Sequence, residues 1–456
     1  MALQLGPIVG EVTHSSAKIW FRADAEGTHT CHVFTDSTSP TEVPGSPWQA
    51  VVSQPTGHTA TVQVALPNAD QLYYYDIRGP GGSTILPGGR LSFKNTPAPG
   101  TPTSLTFAFV SCHKPFAYDA AKRFLMWDQM EAVFKDKNIR FLLMIGDQIY
   151  GDDCFKKVSR GEQPAVEGYR EVYQQYWGHA SVMKILGRYP TYMIWDDHEI
   201  RDGWGSQGGD SEEHTIFKAA RQVYHEFQHG HNPMNFGPEA QHYAFGFGQV
   251  GFLVLDLRGH RDMSRNMDER PLLGTKQWED ITDWLTNRAQ NYRVLFIVCS
   301  VPIVHAPPGA ADVSPLMDHW SYMKIRPEQE ALVRLLFKVM NESDNLRQIV
   351  VLGGNVHEGT VAEIRSYLQE HNKRRRIYQF TSSPIANEPV GAYSFFITFG
   401  KTVRIDGNDE IIGKILEEFP ERNFGLVHVN YDSGADSYRV VFELYREGKS
   451  PYTFST

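Results

Sequence analysis

Three observations predict an α/β protein that begins with a smaller all-β segment. First, six apolar runs of strand length recur along the chain: "LTFAFVS" (105–111), "IRFLLMIGD" (139–147), "PTYMIWDD" (190–197), "VGFLVLDLR" (250–258), "RVLFIVCS" (293–300) and "RQIVVLGGN" (347–355). Such runs suit strands buried on both faces, as in parallel sheets. Second, amphipathic segments of helical period lie between them, among them "DAAKRFLMWDQMEAVFKDK" and "KQWEDITDWLTNRA", and this alternation implies a sheet covered on both faces. Third, the stretch before the first run breaks into short strand-like pieces with no helical period.

In chain order, "AKIWFRA", "HTCHVFT", "ATVQVAL" and "LYYYDIRG" are rich in β-branched and aromatic residues and are separated by Gly, Pro, Asn and Ser. "LPNADQLYYYDI" resembles the corner of a fibronectin- or Ig-like sandwich, where a tyrosine ties a strand to the loop before it. The Pro-, Gly- and Thr-rich "NTPAPGTPTS" closes this part. A chain of 456 residues is long for one core. The expected division is a β-sandwich over 1–96, a linker over 97–104 and a larger α/β domain over 105–456. Near the C-terminus, "VHVNYD" and "YRVVFELY" read as a hairpin that completes the edge of the larger domain's sheet.

Composition narrows the function. An apolar fraction of 41% with 21% charged residues is that of a globular protein, and a net charge of −9 argues against nucleic-acid binding. The basic run in "NKRRRIYQF" reads as a solvated helix end or loop. No run reaches the length of a membrane-spanning helix. Cys31, Cys112, Cys154 and Cys299 are scattered without a CxxC pair, which disfavours a zinc ribbon or a disulfide framework. No signal-peptide pattern follows Met1, so the expected location is cytoplasmic as the chain stands, or periplasmic or secreted if a leader peptide was removed.

The apolar runs end in chemistry. "FAFVS" meets Cys112 and His113, and "FLLMIG" meets Asp147, with Tyr150 and Asp152 just after. "TYMIW" meets Asp196, Asp197, His198 and Glu199; "FLVLDL" meets Arg258, His260 and Arg261; "IVVLGG" meets Asn355, His357 and Glu358. Singly, such residues are helix caps, turn formers or buried structural groups. Together they fall at the carboxyl ends of strands, where open α/β sheets bind ligands. The chemistry that uses such a set is a two-metal hydrolytic centre with a bridging carboxylate. Cys and Tyr would ligate as anions and favour a ferric-type ion, while carboxylate and amide oxygens suit a harder divalent ion.

These words, with "MIGDQIYGDD", "IWDDHEIRD", "LDLRGHR", "GTKQWEDITDWL", "MDHWSYMKIRPEQEALV" and "LGGNVHEG", resemble the alkaline phosphatase D (PhoD-like) family of metallophosphatases over most of 105–360. The resemblance implies a four-layer αββα metallophosphoesterase core behind an N-terminal β-sandwich. It implies Fe3+ held by Cys112, Asp147, Tyr150 and His357, with Asp147 bridging to Ca2+ (or Mg2+, Mn2+ or Zn2+) completed by Asp197 and Asn355. His198 would face the phosphoryl oxygens or leaving group, and Arg258, with Arg261 as the alternative, would hold the phosphate. Asp196 and Glu199 would support the ligands.

Two departures stand out. The family's Gly-Asp-x-His is "GNVH" here, so neutral Asn355 takes a carboxylate's place and weaker binding, or a different choice, of the divalent ion is expected. His113 follows Cys112 and either ligates or lies beside the site; it is left out of the metal set. The implied reaction is hydrolysis of a small-molecule phosphomonoester or phosphodiester. The alternatives are a phosphotriesterase or dedicated phosphodiesterase on the same centre, or a non-catalytic binding module with a degenerate site. "GDDCFKKVSRGEQPAVEGYREVYQQYW" and "GWGSQGGDSEEHTIFK" are expected to form the rim, with Lys156 and Lys157 solvated and Tyr173, Tyr176 and Trp177 packing a helix.

Overall fold

The computed structural model describes residues 2–117, 122–206, 210–312, 316–368, 375–389, 401–406 and 410–456. The chain opens with seven strands: β1 (Leu3–Val12), β2 (Ser16–Ala23), β3 (Gly27–Phe34), β4 (Trp48–Val52), β5 (Thr59–Ala65), β6 (Leu72–Arg78) and β7 (Leu91–Lys94). They form a three-stranded sheet, β1-β2-β5, and a four-stranded sheet, β4-β3-β6-β7. Alternate residues such as Ile19, Phe21, Val33, Val62, Tyr75 and Ile77 fill the space between. The expected tyrosine corner is Tyr73, whose hydroxyl donates to Asn68 O and accepts from Asn68 N, both at 2.9 Å.

The remaining strands are β8 (Leu105–Val110), β9 (Ile139–Ile145), β10 (Thr191–Ile194), β11 (Tyr243–Phe247), β12 (Val250–Val254), β13 (Val294–Val298), β14 (Gln348–Gly353), β15 (Gly359–Ser366), β16 (Arg376–Thr381), β17 (Thr402–Arg404), β18 (Ile411–Phe419), β19 (Asn423–Asp432), β20 (Ser437–Arg446) and β21 (Tyr452–Ser455). They make a six-stranded sheet, β10-β9-β8-β19-β20-β21, and an eight-stranded sheet, β11-β12-β13-β14-β16-β15-β18-β17. The six apolar runs of the sequence are β8, β9, β10, β12, β13 and β14. They pair in parallel within their sheets, while β19 and β20 form the expected antiparallel hairpin on β8.

Period-two alternation explains why two sheets stack. In β12 to β14, Phe252, Val254, Phe296, Val298, Val350 and Leu352 share a core with β8 and β9. Leu253, Leu295, Ile297, Ile349 and Val351 instead pack with helices α6 (Gly274–Asn287) and α7 (Arg326–Glu342). Phe107 of β8 meets Phe252 and Phe296 edge-on, at 5.2 and 5.1 Å between ring centroids, across the sheet interface. Helices α1 (Leu125–Asp136), α3 (Ala165–Trp177), α4 (Ala180–Leu186) and α5 (Thr215–Phe227) pack into the core that holds the six-stranded sheet. A short α2 (Asp152–Ser159) precedes α3. The protein is therefore a mixed α/β sandwich of two helix-covered sheets rather than one open sheet.

The N-terminal sandwich is seated on the core. Trp20 packs against Trp177 and Phe227, and its indole donates to Glu226 O at 2.7 Å. The Tyr192 hydroxyl pairs with the backbone of Val12, and the Tyr75 hydroxyl donates to Gly187 O at 2.7 Å. A β-carbon on Gly10 would fall 2.4 Å from His231 O, which accounts for glycine there. Among the described residues no helix is long and apolar enough to cross a membrane.

Candidate metal centre

The strand ends of the two sheets meet at one buried place. Gly146, at φ +106°, follows β9, and a β-carbon on it would stand 2.7 Å from Asp196 Cβ; one on Gly354 would stand 2.7 Å from Ser111 Cβ. These glycines let the loops after β8, β9, β10 and β14 approach closely enough to share ligands. The loops are also laced together. Cys112 N donates to Gly146 O, His113 N to Asp147 O, Asn355 N to Ser111 Oγ and His357 N to Ser383 Oγ.

Eight non-glycine residues among those described have positive φ, and four of them are Cys112 (58°), Asp147 (57°), Asn355 (61°) and His357 (56°). This left-handed backbone costs about 1–3 kcal/mol per residue where the side chain is not glycine, and such strain clusters at functional sites.

Two donor groups overlap. Atoms of Cys112, Asp147 and His357 lie within 4.8 Å of one another, as do those of Asp147, Asp197 and His198, so Asp147 belongs to both. Asp147 Oδ2 accepts from Cys112 Sγ at 3.2 Å and from the Tyr150 hydroxyl at 3.3 Å. Its Oδ1 is buried without a hydrogen-bond partner, an orphaned carboxylate oxygen of the kind a cation would satisfy. Asn387, after β16, sets its amide nitrogen 2.7 Å from the Tyr150 hydroxyl and 3.1 Å from His357 Nε2, closing the first group.

The field around these donors asks for positive charge. Burial, helped by Asp197, Asp196 and Glu199, outweighs the opposing charge of His198 and pushes the Asp147 carboxyl well above its usual range. Burial and Asp147 do the same to the Cys112 thiol, and burial, Asp147 and Cys112 to the Tyr150 phenol. Burial, with His198 and Lys114, holds His357 neutral, down to about 4. Three acidic donors that resist ionisation beside a neutral imidazole are a fit for a cation, which reverses each penalty.

His198 is placed differently. Its Nδ1 lies 2.9 Å from Asp152 Oδ2, and its ring lies 4.0 Å from that of Tyr150. Burial alone would lower its pKa, but Asp197, Asp147 and the bond to Asp152 outweigh this and raise it to about 10. Asp152 is drawn down to about 2; burial opposes this, and the bond to His198 and its charge prevail.

Arg258, expected to hold the phosphate, is placed among carboxylates. It is 0% exposed, and all five of its donors are engaged. Nε meets Asp196; Nη1 meets Asp318 Oδ1 at 2.6 Å and Trp204 O at 3.0 Å; Nη2 meets Asp318 Oδ2 at 2.6 Å and Asp197 Oδ1 at 3.5 Å. Arg261 is also buried, on Ser206 Oγ, Met317 O and Asp318. Asn355 Nδ2 donates to the same Asp318 Oδ2 at 2.9 Å.

Glu199 does not join the donors. Its carboxylate accepts from the backbone N–H groups of Asp147, Gln148 and Asp196, pinning the turns after β9 and β10. His113 accepts at Nδ1 from Trp127 and bonds Tyr176 O through Nε2, so it lies beside the centre. Lys156 is exposed on Asp153, while Tyr173 and Trp177 are buried in helix packing. Rim residues 207–209 lie outside the described residues, as do 372–374 of the basic run and 119–121 of the first helical segment.

The sequence profile of the PhoD-like phosphatase family matches residues 107–431. The chain belongs to the PhoD-like phosphatase family. It is 26% identical over 371 residues to alkaline phosphatase D of Bacillus subtilis (strain 168), a match covering 74% of this chain and 59% of that protein. The chain thus spans about three-fifths of that relative's length. Among solved structures, that of PhoD superposes with a TM-score of 0.71 at 17% identity, covering 100% of this chain and 89% of the other. A purple acid phosphatase isolated from yellow lupin (Lupinus luteus) seeds gives 0.62 at 13% identity, covering 98% and 73%. At these identities the structures establish the shared fold. Within the family's frame, reasoning from the sequence missed Asp318 and Asn387. Asp318 lay inside the quoted word "MDHWSYMKIRPEQEALV", whereas Asn387 lay in a loop with no strand-end signal.

Proposed function

We propose that this protein is a metal-dependent hydrolase of small-molecule phosphate esters, acting on phosphomonoesters, phosphodiesters or both. The observation that carries the reading is the pair of donor groups that share the buried Asp147. Family membership and the fold shared with PhoD and a purple acid phosphatase support it. We assign Cys112, Asp147, Tyr150 and His357 to Fe3+, because thiolate and phenolate suit a ferric ion. Asp147, Asp197 and Asn355 are assigned to Ca2+ or another divalent cation, because their donors are hard oxygens. Such ions supply Lewis acidity toward the phosphoryl group and make hydroxide available near neutral pH.

The chain's own residues do the rest. Asp152 fixes the His198 ring through Nδ1, which leaves Nε2 as the nitrogen that gives its proton to the departing ester oxygen. Arg258 does not clamp phosphate in this reading. It balances Asp196, Asp197 and Asp318 so that three carboxylates can stand beside the divalent position. The division into a sandwich over 1–96, a linker over 97–104 and a catalytic domain over 105–456 is part of the same proposal; its support is that all seven strands of the first two sheets precede Leu105.

The test pairs elemental analysis of the purified, reconstituted protein with p-nitrophenyl mono-, di- and triester substrates. Iron with a divalent ion, and turnover of the mono- or diester, are expected. A protein that binds neither ion and turns over no ester would instead be the binding module.

A further inference from the structure

With Arg258 and Arg261 committed, the candidate centre needs another group to hold the phosphoryl charge. Arg201 is bound to Asp210 and to Asp202 O, and His198 is bound to Asp152. Lys114 differs from all of them. It sits two residues after Cys112, partly buried, with its ammonium 4.6 Å from the centroid of the Tyr150 ring. Among the described residues no carboxylate pairs with it. An ammonium has three donors and no acceptor, and a ring face satisfies only its charge.

The Tyr150 hydroxyl lies 3.3 Å from Asp147 Oδ2, so the ammonium lies over the ring of one of the candidate donors. Tyr176 stacks toward Tyr150 at 6.4 Å and meets Phe116 edge-on, with ring centroids 5.2 Å apart. A cation with no carboxylate partner among the described residues, beside such a centre, is matched by a phosphate oxygen through a charge-assisted bond.

We propose that Lys114 is the substrate-binding residue for the phosphoryl group and tilts the enzyme toward monoesters. This rests on the hydrolase reading above. A monoester brings a dianion with three non-bridging oxygens, whereas a diester is a monoanion with one of those oxygens esterified. A lone positive charge outside the carboxylate cage therefore discriminates between them by charge, in addition to the bond itself.

The test titrates inorganic phosphate into the metal-loaded wild type, Lys114→Met and Lys114→Arg, with metal content checked in each. Methionine keeps an unbranched side chain against Tyr150 without the charge. Lys114→Met is expected to weaken phosphate binding about tenfold and to lower kcat/KM for p-nitrophenyl phosphate ~10–100-fold, with a loss for bis(p-nitrophenyl) phosphate of no more than about threefold. Lys114→Arg restores most of both. Unchanged phosphate affinity at matched metal content, or equal losses on the two esters, overturns the proposal. If instead only metal content falls, Lys114 serves Tyr150 and the proposal also fails. A wild type that binds phosphate through Lys114 yet hydrolyses neither ester sinks the hydrolase reading, and the monoester preference with it, and leaves only the phosphate-binding role of Lys114 standing.

Discussion

On the Cys112 side of the candidate centre, Cys112 and Tyr150 converge on one carboxylate oxygen of Asp147, and no arginine or lysine forms an ion pair with any of the three among the described residues. On the Asp197 side, Arg258 is driven between Asp196, Asp197 and Asp318. The first half stores its charge demand in raised acidities and strained backbone; the second carries its own counter-ion. The half that lacks one needs a cation most, and three of its four donors, Cys112, Asp147 and His357, sit at positive φ. The caged half holds its carboxylates against a buried guanidinium whatever is bound.

Asp147 belongs to both halves, so removing its charge is the harshest way to break the contrast. Asp147→Asn is expected to lower kcat/KM on the order of 10³-fold or more, and to remove both ions together. The metal-free variant should nonetheless melt no lower than metal-free wild type, because a buried carboxylate with an orphaned oxygen is replaced by a neutral isostere. Calorimetry with and without metal reads both effects; loss of one ion alone would show that Asp147 does not bridge.

The caged half predicts the opposite sign. Arg258→Met leaves Asp196, Asp197 and Asp318 buried and uncompensated, and is expected to cost about 3–5 kcal/mol of stability, read by denaturant unfolding. Phosphate affinity of the protein that remains folded should change little, since the guanidinium donors are already taken. A large loss of phosphate binding with unchanged stability would return Arg258 to the clamp role expected from the sequence.

This difference also marks where sequence reading stops. The strand-end residues were legible because an apolar run that ends abruptly in Asp, Cys or His is costly to explain otherwise, and period-two alternation placed those runs in a core. The tyrosine corner was legible because such a tyrosine answers to its own local loop, and the structure identifies it as Tyr73. The ion pairing of Arg258 was hidden because its partner Asp318 is 60 residues away, in a loop whose position depends on how two sheets stack. Asn387 was missed for the same reason: its contacts with Tyr150 and His357 span 237 and 30 residues. Strand ends announce ligands, but what neutralises and orients them comes from loops that no local pattern places.

Asn355 is the point where the halves meet, and it gives the finest test. Its amide donates to Asp318, which an aspartate could not do. Asn355→Asp would set two carboxylates against each other with Arg258 already shared among three. Without a divalent ion the variant should therefore be less stable by about 1 kcal/mol, the scale of an exchanged hydrogen bond. With the ion present, the extra charge should tighten divalent binding about tenfold, as expected for restoring the family's carboxylate. Thermal melts over a divalent titration would show the two curves crossing. Equal affinities in wild type and variant would mean that residue 355 takes no part in holding the divalent ion, and that its amide serves only to keep Asp318 on Arg258.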